Sequence, residues 1–460
     1  MDPVLTTSLT PPLDPGFVPA VLANRAYQQQ VDASGIGVPL TVALEREAGL
    51  VSRFETMVMP SGDPATLRHV ERLVKFLLWS RGGWKLHLSG PEEIGHAIRA
   101  AYSHGGERSF DCEMMALAYG KSFEVFLTND TEIPSARDME APVGGYLDGC
   151  RIGFDLGASD YKISAVIDGE AVFTEETPWD PKTQADPEFI YRNLTAGLRR
   201  AAAQMPRVDA IGGSSAGVIV GNEIRVASLL RSISKEDFPA AAAVFKRIEK
   251  EWNVPVMVMN DGDVTALAGA LSLQQKGVLG IAMGSSEAVG FMDRKGRILG
   301  WLNELAFAPV DANEDAVVDE WSGDRGVGAL YFSQQAVNKL LPAAGITVPE
   351  DMDLPERLKM VQVLMAQGDP RAALIYETIG IYLGYTIPHY LEFYDFDHIL
   401  LLGRVTTGAG GEIVLSKAAE VLKREFPEVA ARIELHVPDE KSRRVGQAVA
   451  AASLPDIRTK

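Results

Sequence analysis

The chain is poor in cysteine, holding only Cys112 and Cys150. That number excludes a disulfide framework and any metal site built on three or four thiolates, and two buried, reduced thiols are the simplest reading. Basic character is also scarce: 44 Lys and Arg stand against 62 Asp and Glu, giving a net charge of −18 with no basic tail or run. Such a field repels a phosphate backbone, so nucleic acid is not an expected partner. Nowhere do roughly 18 apolar residues follow one another, and the opening MDPVLTTSLTPPLDPG has neither a basic n-region nor an apolar h-region, so no membrane association and a soluble, cytoplasmic protein are expected.

What is present is ordinary globular composition, 46% hydrophobic and 23% charged over 460 residues. At roughly 150 residues per domain the length suggests about three folding units. Residues 1–20, with Pro3, Pro11, Pro12 and Pro15 among Thr, Ser and Asp, read as an arm or linker able to wrap a partner. Two β-rich stretches in residues 38–59 about Glu47-Ala48-Gly49 predict a hairpin. The apolar spacing of ATLRHVERLVKFLLW predicts a helix stopped at Arg81-Gly82-Gly83, before a short strand WKLHLSG. Residues 21–149 thus form an α+β extension.

At Cys150 the texture changes. GCRIGFDLG and KISAVIDG read as two strands with a turn at Asp168-Gly169, and helices across LTAGLRRAAAQM and AAAVFKRIEKEW alternate with strands VDAIGGSSAG and VPVMVMND. A strand pair at VLGIAMGSSEAVGFMD and a strand with a glycine turn at HILLLGRVTTGAGG follow, so the class is α/β, with lobes expected over 150–265 and 266–460.

Four segments carry chemistry. In FDLGASDYK a strand delivers Asp155 into a small-residue turn, where backbone N–H groups can approach an anion and the carboxylate can hold a metal or its water; the same pattern also serves as a plain strand turn. In MNDGDVTALAGAL a strand stops at Asn260-Asp261 beside a helix start, the position where open α/β sheets bind ligands. Asp261 there can accept a hydroxyl proton, or Asp261 or Asp263 can simply cap the helix. GIAMGSSEAVGF offers Gly284, Ser285 and Ser286 as amide and hydroxyl donors to phosphates. In LLLGRVTTGAGG, Gly403, Gly408, Gly410 and Gly411 leave room for a flat purine or for tight packing.

The order of these segments resembles the actin-like ATPase superfamily and, within it, the ROK (repressor, open reading frame, kinase) sugar kinases, over residues 150–455. The resemblance implies a two-lobed, ribonuclease H-like fold binding ATP and Mg²⁺. It makes IGFDLGASDYK the first phosphate motif, with Asp155, Gly157, Ser159 and Lys162, and Asp155 reaching Mg²⁺ through water. Asn260-Asp261 becomes the catalytic pair, GIAMGSSEAVGF the second phosphate motif, and LLLGRVTTGAGG, with Gly403, Arg404 and Gly408, the adenosine motif. Ser214, Ser215 and Asn222 become exposed sugar contacts, and a homodimer is implied.

The chain departs from that pattern where the family carries Gly-Glu-x-Gly-His and C-x-C-G-x-x-G-C-x-E. Here the segments read NELAF and EWSGDRGVGA: Phe307 replaces the histidine, Glu320, Ser322 and Val327 the cysteines, and Ala329 the last glutamate. Thiolate and imidazole ligands are gone, so no zinc site is expected there, and Glu304 alone remains of the two sugar carboxylates. Losing one charge-assisted hydrogen bond, about 1.5–3 kcal/mol, points to an altered sugar. Trp84, His87, His104 and Arg108 in the extension are candidate replacement contacts, and Asp324 and Arg325 an ion pair. The expectation is an ATP-dependent carbohydrate kinase with Asp261 as general base, the phosphate turns facing across a cleft so that the terminal phosphate lies between Asp155 and Asp261. The second reading is a non-catalytic sugar or nucleotide sensor on the same scaffold.

Overall fold

The computed structural model describes residues 7–139, 143–437 and 440–458, with the backbone alone for 440–445. Residues 1–6 of the expected arm lie outside the described residues.

The extension opens with α1 (Ala20–Ser34) and the expected hairpin, β1 (Val38–Glu45) and β2 (Val51–Val58), paired antiparallel about the Glu47–Gly49 turn. α2 (Pro64–Arg81) starts because Asp63 accepts from the N–H groups of Ala65 and Thr66, and it stops at Gly82, whose φ of 76° an L side chain rarely adopts. β3 (Lys85–Ser89), α3 (Glu92–Ala101), α4 (Ser109–Tyr119) and β4 (Glu124–Leu127) complete a four-stranded sheet ordered β2-β1-β3-β4.

Next comes a five-stranded sheet ordered β11-β8-β5-β6-β7. β5 (Cys150–Leu156) is buried at every position, the charged Arg151 and Asp155 included, as befits a central strand. β6 (Asp160–Ile167) and β7 (Glu170–Pro178) continue it antiparallel. After α5 (Phe189–Ala202), β8 (Ala210–Ser215) lies parallel to β5. A ribbon of β9 (Val218–Val220) and β10 (Glu223–Val226), then α6 (Phe238–Ala242) and α7 (Val244–Trp252), lead to β11 (Val256–Asn260), parallel to β8.

α8 (Asp261–Leu273) carries the chain to a second sheet, ordered β13-β12-β14-β15, from β12 (Val278–Met283) and β13 (Glu287–Met292). α9 (Gln334–Leu340), α10 (Leu354–Ala366) and the long, mostly buried α11 (Pro370–Leu391) precede β14 (His398–Leu402), α12 (Ala409–Glu425), α13 (Pro427–Ala430) and β15 (Glu434–His436). The last helix, α14 (Glu440–Ala452), returns to the first sheet. A Cβ on Gly153 or Gly212 would lie 1.8 Å from the Ala448 carbonyl oxygen or 1.7 Å from that of Ala451, so glycine is what lets α14 seat there. α14 therefore packs on β5 and β8 and on α8, which leads to the second sheet.

The extension is fastened to the second half of the chain. α2 buries every residue from Leu73 to Arg81, and its last carbonyls accept from the backbone of the following half: Leu302 N–H to Arg81, Asn303 N–H to Ser80 and Glu304 N–H to Trp79, at 3.0–3.2 Å. Asp324 anchors the join, with Lys75, Arg72 and Arg108 each 2.9 Å from its carboxylate. The described part of the arm packs on the second half of its own chain: Phe17 lies against Tyr331 and Tyr382, and Asp14 pairs with Lys339 at 3.2 Å. Among the described residues, no helix is long and apolar enough to cross a membrane.

Candidate active site

Three parallel strands end together. In the register of β5, β8 and β11, Asp155 lies opposite Ser214 and Ser215 opposite Asn260. With strands about 4.8 Å apart, Asp155 and the Asn260-Asp261 pair stand roughly 10 Å from each other with β8 between. The two carboxylates share one sheet edge; the expectation that they face each other from opposing turns is corrected by this register.

Ser214 and Ser215 are fully buried, not exposed as expected. Ser214 orients a carboxylate: its Oγ donates to Asp155 Oδ1 at 2.7 Å. Burial raises the Asp155 pKa, while the Ser214 hydrogen bond and the Lys162 charge pull it down. Lys162 pairs with Asp160 at 3.2 Å, and Ser159 Oγ donates to Asp160 at 3.1 Å. The Gly157 N–H donates to the Asp160 carbonyl at 3.0 Å, closing the turn after β5. Asn222 is a brace, not a free ligand contact. Its Nδ2 donates to the Val256 carbonyl at 2.7 Å and its Oδ1 accepts from the Val258 N–H at 2.9 Å, tying the ribbon to β11.

The cap of α8 is Asn260. Its Oδ1 accepts from the Gly262 N–H at 2.7 Å and its Nδ2 donates to the Gly217 carbonyl at 2.8 Å, so the side chain fixes where the helix begins and where Asp261 stands. Asp261 is thus not the required cap, though its Oδ1 accepts from the Gly262 N–H at 3.0 Å. Burial, then the neighbouring Asp155 charge, pushes its pKa up to about 7. Asp263, two residues further along the helix, is also raised to about 7 by burial, with Asn303 Nδ2 donating to it at 2.9 Å.

Glu304 joins this acidic group from the second half of the chain. Burial and the charges of Asp261 and Asp263 raise it to about 8. Beyond it, Glu287 at the start of β13 is raised to about 8 by burial, accepts from Tyr390 OH at 3.2 Å, and feels Glu304. α14 closes the group from the other side: Gln447 Nε2 donates to Ser214 Oγ at 3.1 Å and to the Asp261 carbonyl at 3.3 Å. Gln447 and Glu287 carry no signal in the sequence that marks them for the site. Asp263 reads there only as a possible cap, and its i, i+2 spacing from Asp261 at a helix start is the one hint of its place.

The second glycine turn joins β12 to β13. The Gly284 N–H donates to the Ser286 carbonyl at 3.0 Å, Ser285 and Ser286 are exposed, and a Cβ on Gly284 would meet only the Ser286 carbonyl, at 3.6 Å. Gly403, after β14, packs on this turn, because a Cβ there would lie 2.4 Å from the Met283 carbonyl oxygen. Gly408 has nothing within 4 Å of such a position, whereas Gly410 and Gly411 lie inside α12, closed against Tyr376 and the Thr406 carbonyl. Of these four glycines, Gly408 alone faces open space. Beside it is a recess of about 290 Å³ lined by Gln362, Met365, Tyr376, Thr407, Gly408 and Ala409. Arg404 is exposed, and its carbonyl accepts from Gln362 Nε2 at 2.8 Å.

The replacement contacts expected from the extension are otherwise employed. Arg108 is bound to Asp324 and Glu71, His87 pairs with Glu45 at 3.3 Å, Trp84 lies under Lys121, and His104 is exposed. Asp324 and Arg325 do not pair as expected: Asp324 turns to the extension and Arg325 donates to the Ala316 carbonyl. What the extension brings to Glu304 is the Trp79 carbonyl, with the Trp79 ring 4.5 Å from that of Phe307.

No family profile matches the sequence, and no curated protein matches it. Solved structures do. A ROK family glucokinase from Streptomyces griseus, in complex with glucose and AMPPNP, is similar at 19% identity and a TM-score of 0.51, over 67% of this chain and 99% of that one. The ROK hexokinase from Thermus thermophilus is similar at 19% identity and a TM-score of 0.51, over 66% and 97%. A ROK family transcriptional regulator, a homolog of the E. coli MLC protein, is similar at 17% identity and a TM-score of 0.52, over 84% and 96%. The chain has the two-lobed actin-like ATPase fold of these structures, with an α+β extension before it.

Proposed function

We propose that the protein is a cytoplasmic ATP-dependent kinase that transfers the γ-phosphoryl group to a hydroxyl of a sugar or sugar-like molecule. One observation carries this reading: Asp261, fixed by the Asn260 cap at the end of β11, is held near pKa 7 beside Asp155 on the same sheet edge. A carboxyl poised near neutrality is suited to take a proton from an alcohol.

The residues present fit a nucleotide. The recess beside Gly408 accepts a flat purine, and the open Cβ position at Gly284 lets a phosphate approach backbone N–H groups. Asp155, with Oδ1 held by Ser214, would hold Mg²⁺ through water. When bound, ATP supplies the phosphoryl group and Mg²⁺ the positive charge against its oxygens. Asp261 orients the acceptor hydroxyl and accepts its proton at a carboxylate oxygen. Glu304, raised to about 8, is largely protonated at neutral pH and donates a hydrogen bond to a sugar hydroxyl or ring oxygen. Closure of the two lobes would exclude water from the transfer.

A second reading, a sugar or nucleotide sensor without turnover, is favoured by one observation: the solved ROK regulator overlies 84% of this chain, more than either kinase. Coupled ADP release over hexoses, amino sugars, deoxy sugars and polyols separates the two. Sugar-stimulated release supports the kinase; saturable sugar binding by calorimetry without release supports the sensor. We take the active unit to be a homodimer, to be checked by light scattering.

A further inference from the structure

At the opposite end of β14 from the Gly403 turn, three side chains converge on one point. β14 and β15 are parallel, with His398 opposite Glu434 and Leu400 opposite His436. Glu434 and His436 are two apart on one strand and so share a face of the sheet, the face His398 also presents. His398 Nδ1 lies 3.2 Å from His436 Nε2 and 3.5 Å from Glu434 Oε2, and His436 Nε2 lies 3.6 Å from that same oxygen.

Those three separations describe a nearly equilateral triangle. Tetrahedral Zn²⁺ with bonds of about 2.0–2.2 Å to nitrogen and oxygen places neighbouring ligand atoms roughly 3.3–3.5 Å apart, which is the edge length found here. A simple pair of neutral imidazoles explains one edge only, one ring donating to the other; the Glu434 oxygen is then beyond hydrogen-bond geometry from both. From these distances we infer that His398, Glu434 and His436 form a binding site for a divalent cation of the zinc type, with a fourth position for water. Two imidazoles and one carboxylate suit Zn²⁺, Co²⁺ or Ni²⁺ and not the all-oxygen preference of Mg²⁺ or Ca²⁺.

The site is independent of the proposed kinase chemistry. Extended β14 from His398 to Leu402 puts about 13 Å of strand between the triangle and the Gly403 turn, and residues 304–329 contribute no ligand. Its effect is mechanical. β15 is a three-residue strand on the edge of the second sheet, held through its pairing with β14, and a cation ligated from both strands would cross-link them.

The test is a titration of chelator-treated full-length protein with Zn²⁺ by calorimetry and with Co²⁺ by visible absorption. The expected result is one equivalent bound, a tetrahedral Co²⁺ spectrum and a raised melting temperature. His436→Ala and the exposed Glu434→Gln should each weaken binding by at least about tenfold, whereas His87→Ala, which breaks an ordinary His–Glu pair, should leave it unchanged. Absence of Zn²⁺ binding by the wild-type chain, or equal affinity in His436→Ala and Glu434→Gln to that of the wild type, overturns the site.

Discussion

Ser214 donates from the buried interior of β8 to Asp155 Oδ1 on the adjacent β5, at 2.7 Å, and so aims the carboxylate at the sheet edge where Asp261 begins its helix. The same hydroxyl accepts from Gln447 Nε2, which also reaches the Asp261 carbonyl. One buried hydroxyl therefore links the Asp155 carboxylate, the proposed base and the last helix of the chain.

Ser214→Ala removes that link without leaving a void large enough to unfold the sheet. A hydrogen bond to a charged group contributes about 1.5–3 kcal/mol, so affinity for Mg²⁺-ATP should fall roughly 10- to 100-fold. Calorimetric titration of wild type and variant with Mg²⁺-ATP checks this, and unchanged affinity would free Asp155 from any dependence on Ser214.

The raised carboxyls set two pH dependences of opposite benefit. Asp261 must be ionised to act as base, so kcat/KM should climb with pH and level off above an inflection near 7. Stability should run the other way. Asp261 and Asp263 near 7 and Glu304 and Glu287 near 8 bind protons in the folded chain that the unfolded chain has released above about pH 4–5. Their stabilising effect is complete at low pH and is lost as pH rises through 7 and 8. Urea unfolding between pH 5 and pH 9 should show a declining midpoint, with a shallower decline in Asp261→Asn.

Asp324 titrates in the other sense. Lys75, Arg72 and Arg108 hold its pKa well below the usual range, so its contribution is present at neutral pH and is lost only in acid. Asp324→Asn leaves the buried Lys75 and Arg108 and the half-buried Arg72 with only Asp111, Glu71 and the exposed Glu107 as partners, and should cost about 3 kcal/mol in urea unfolding at pH 7. Asp351→Asn, in an exposed turn, should cost nothing measurable.

Much of the architecture was legible where local chemistry decides it. The β1–β2 hairpin about Glu47–Gly49, α2 up to Gly82, and the strands that carry Asp155 and Asn260 near their ends each announce themselves by apolar period and a turn residue. Contacts between distant segments were not legible. That Ser214 faces inward to Asp155 depends on the register of β8 beside β5, and a one-residue shift would reverse it. Gln447 is brought to the site by a helix whose approach depends on Gly153 and Gly212, far earlier in the chain, and no local pattern ties those glycines to α14. The family resemblance makes Asn222 an exposed sugar contact, yet its amide serves the edge of β11, a pairing no local pattern announces. Gly410 and Gly411 looked like turn residues, and packing against Tyr376 and Thr406 makes them helical instead.

The most direct measurement is sugar-dependent ADP release by wild type and Asp261→Asn, side by side, on the sugar that the wild type uses best, with circular dichroism confirming that both are folded. The expected result is turnover by the wild type and a loss on the order of 10²–10⁴-fold in the variant, with Mg²⁺-ATP still bound. Equal turnover by the two proteins would contradict the role of Asp261 as the base.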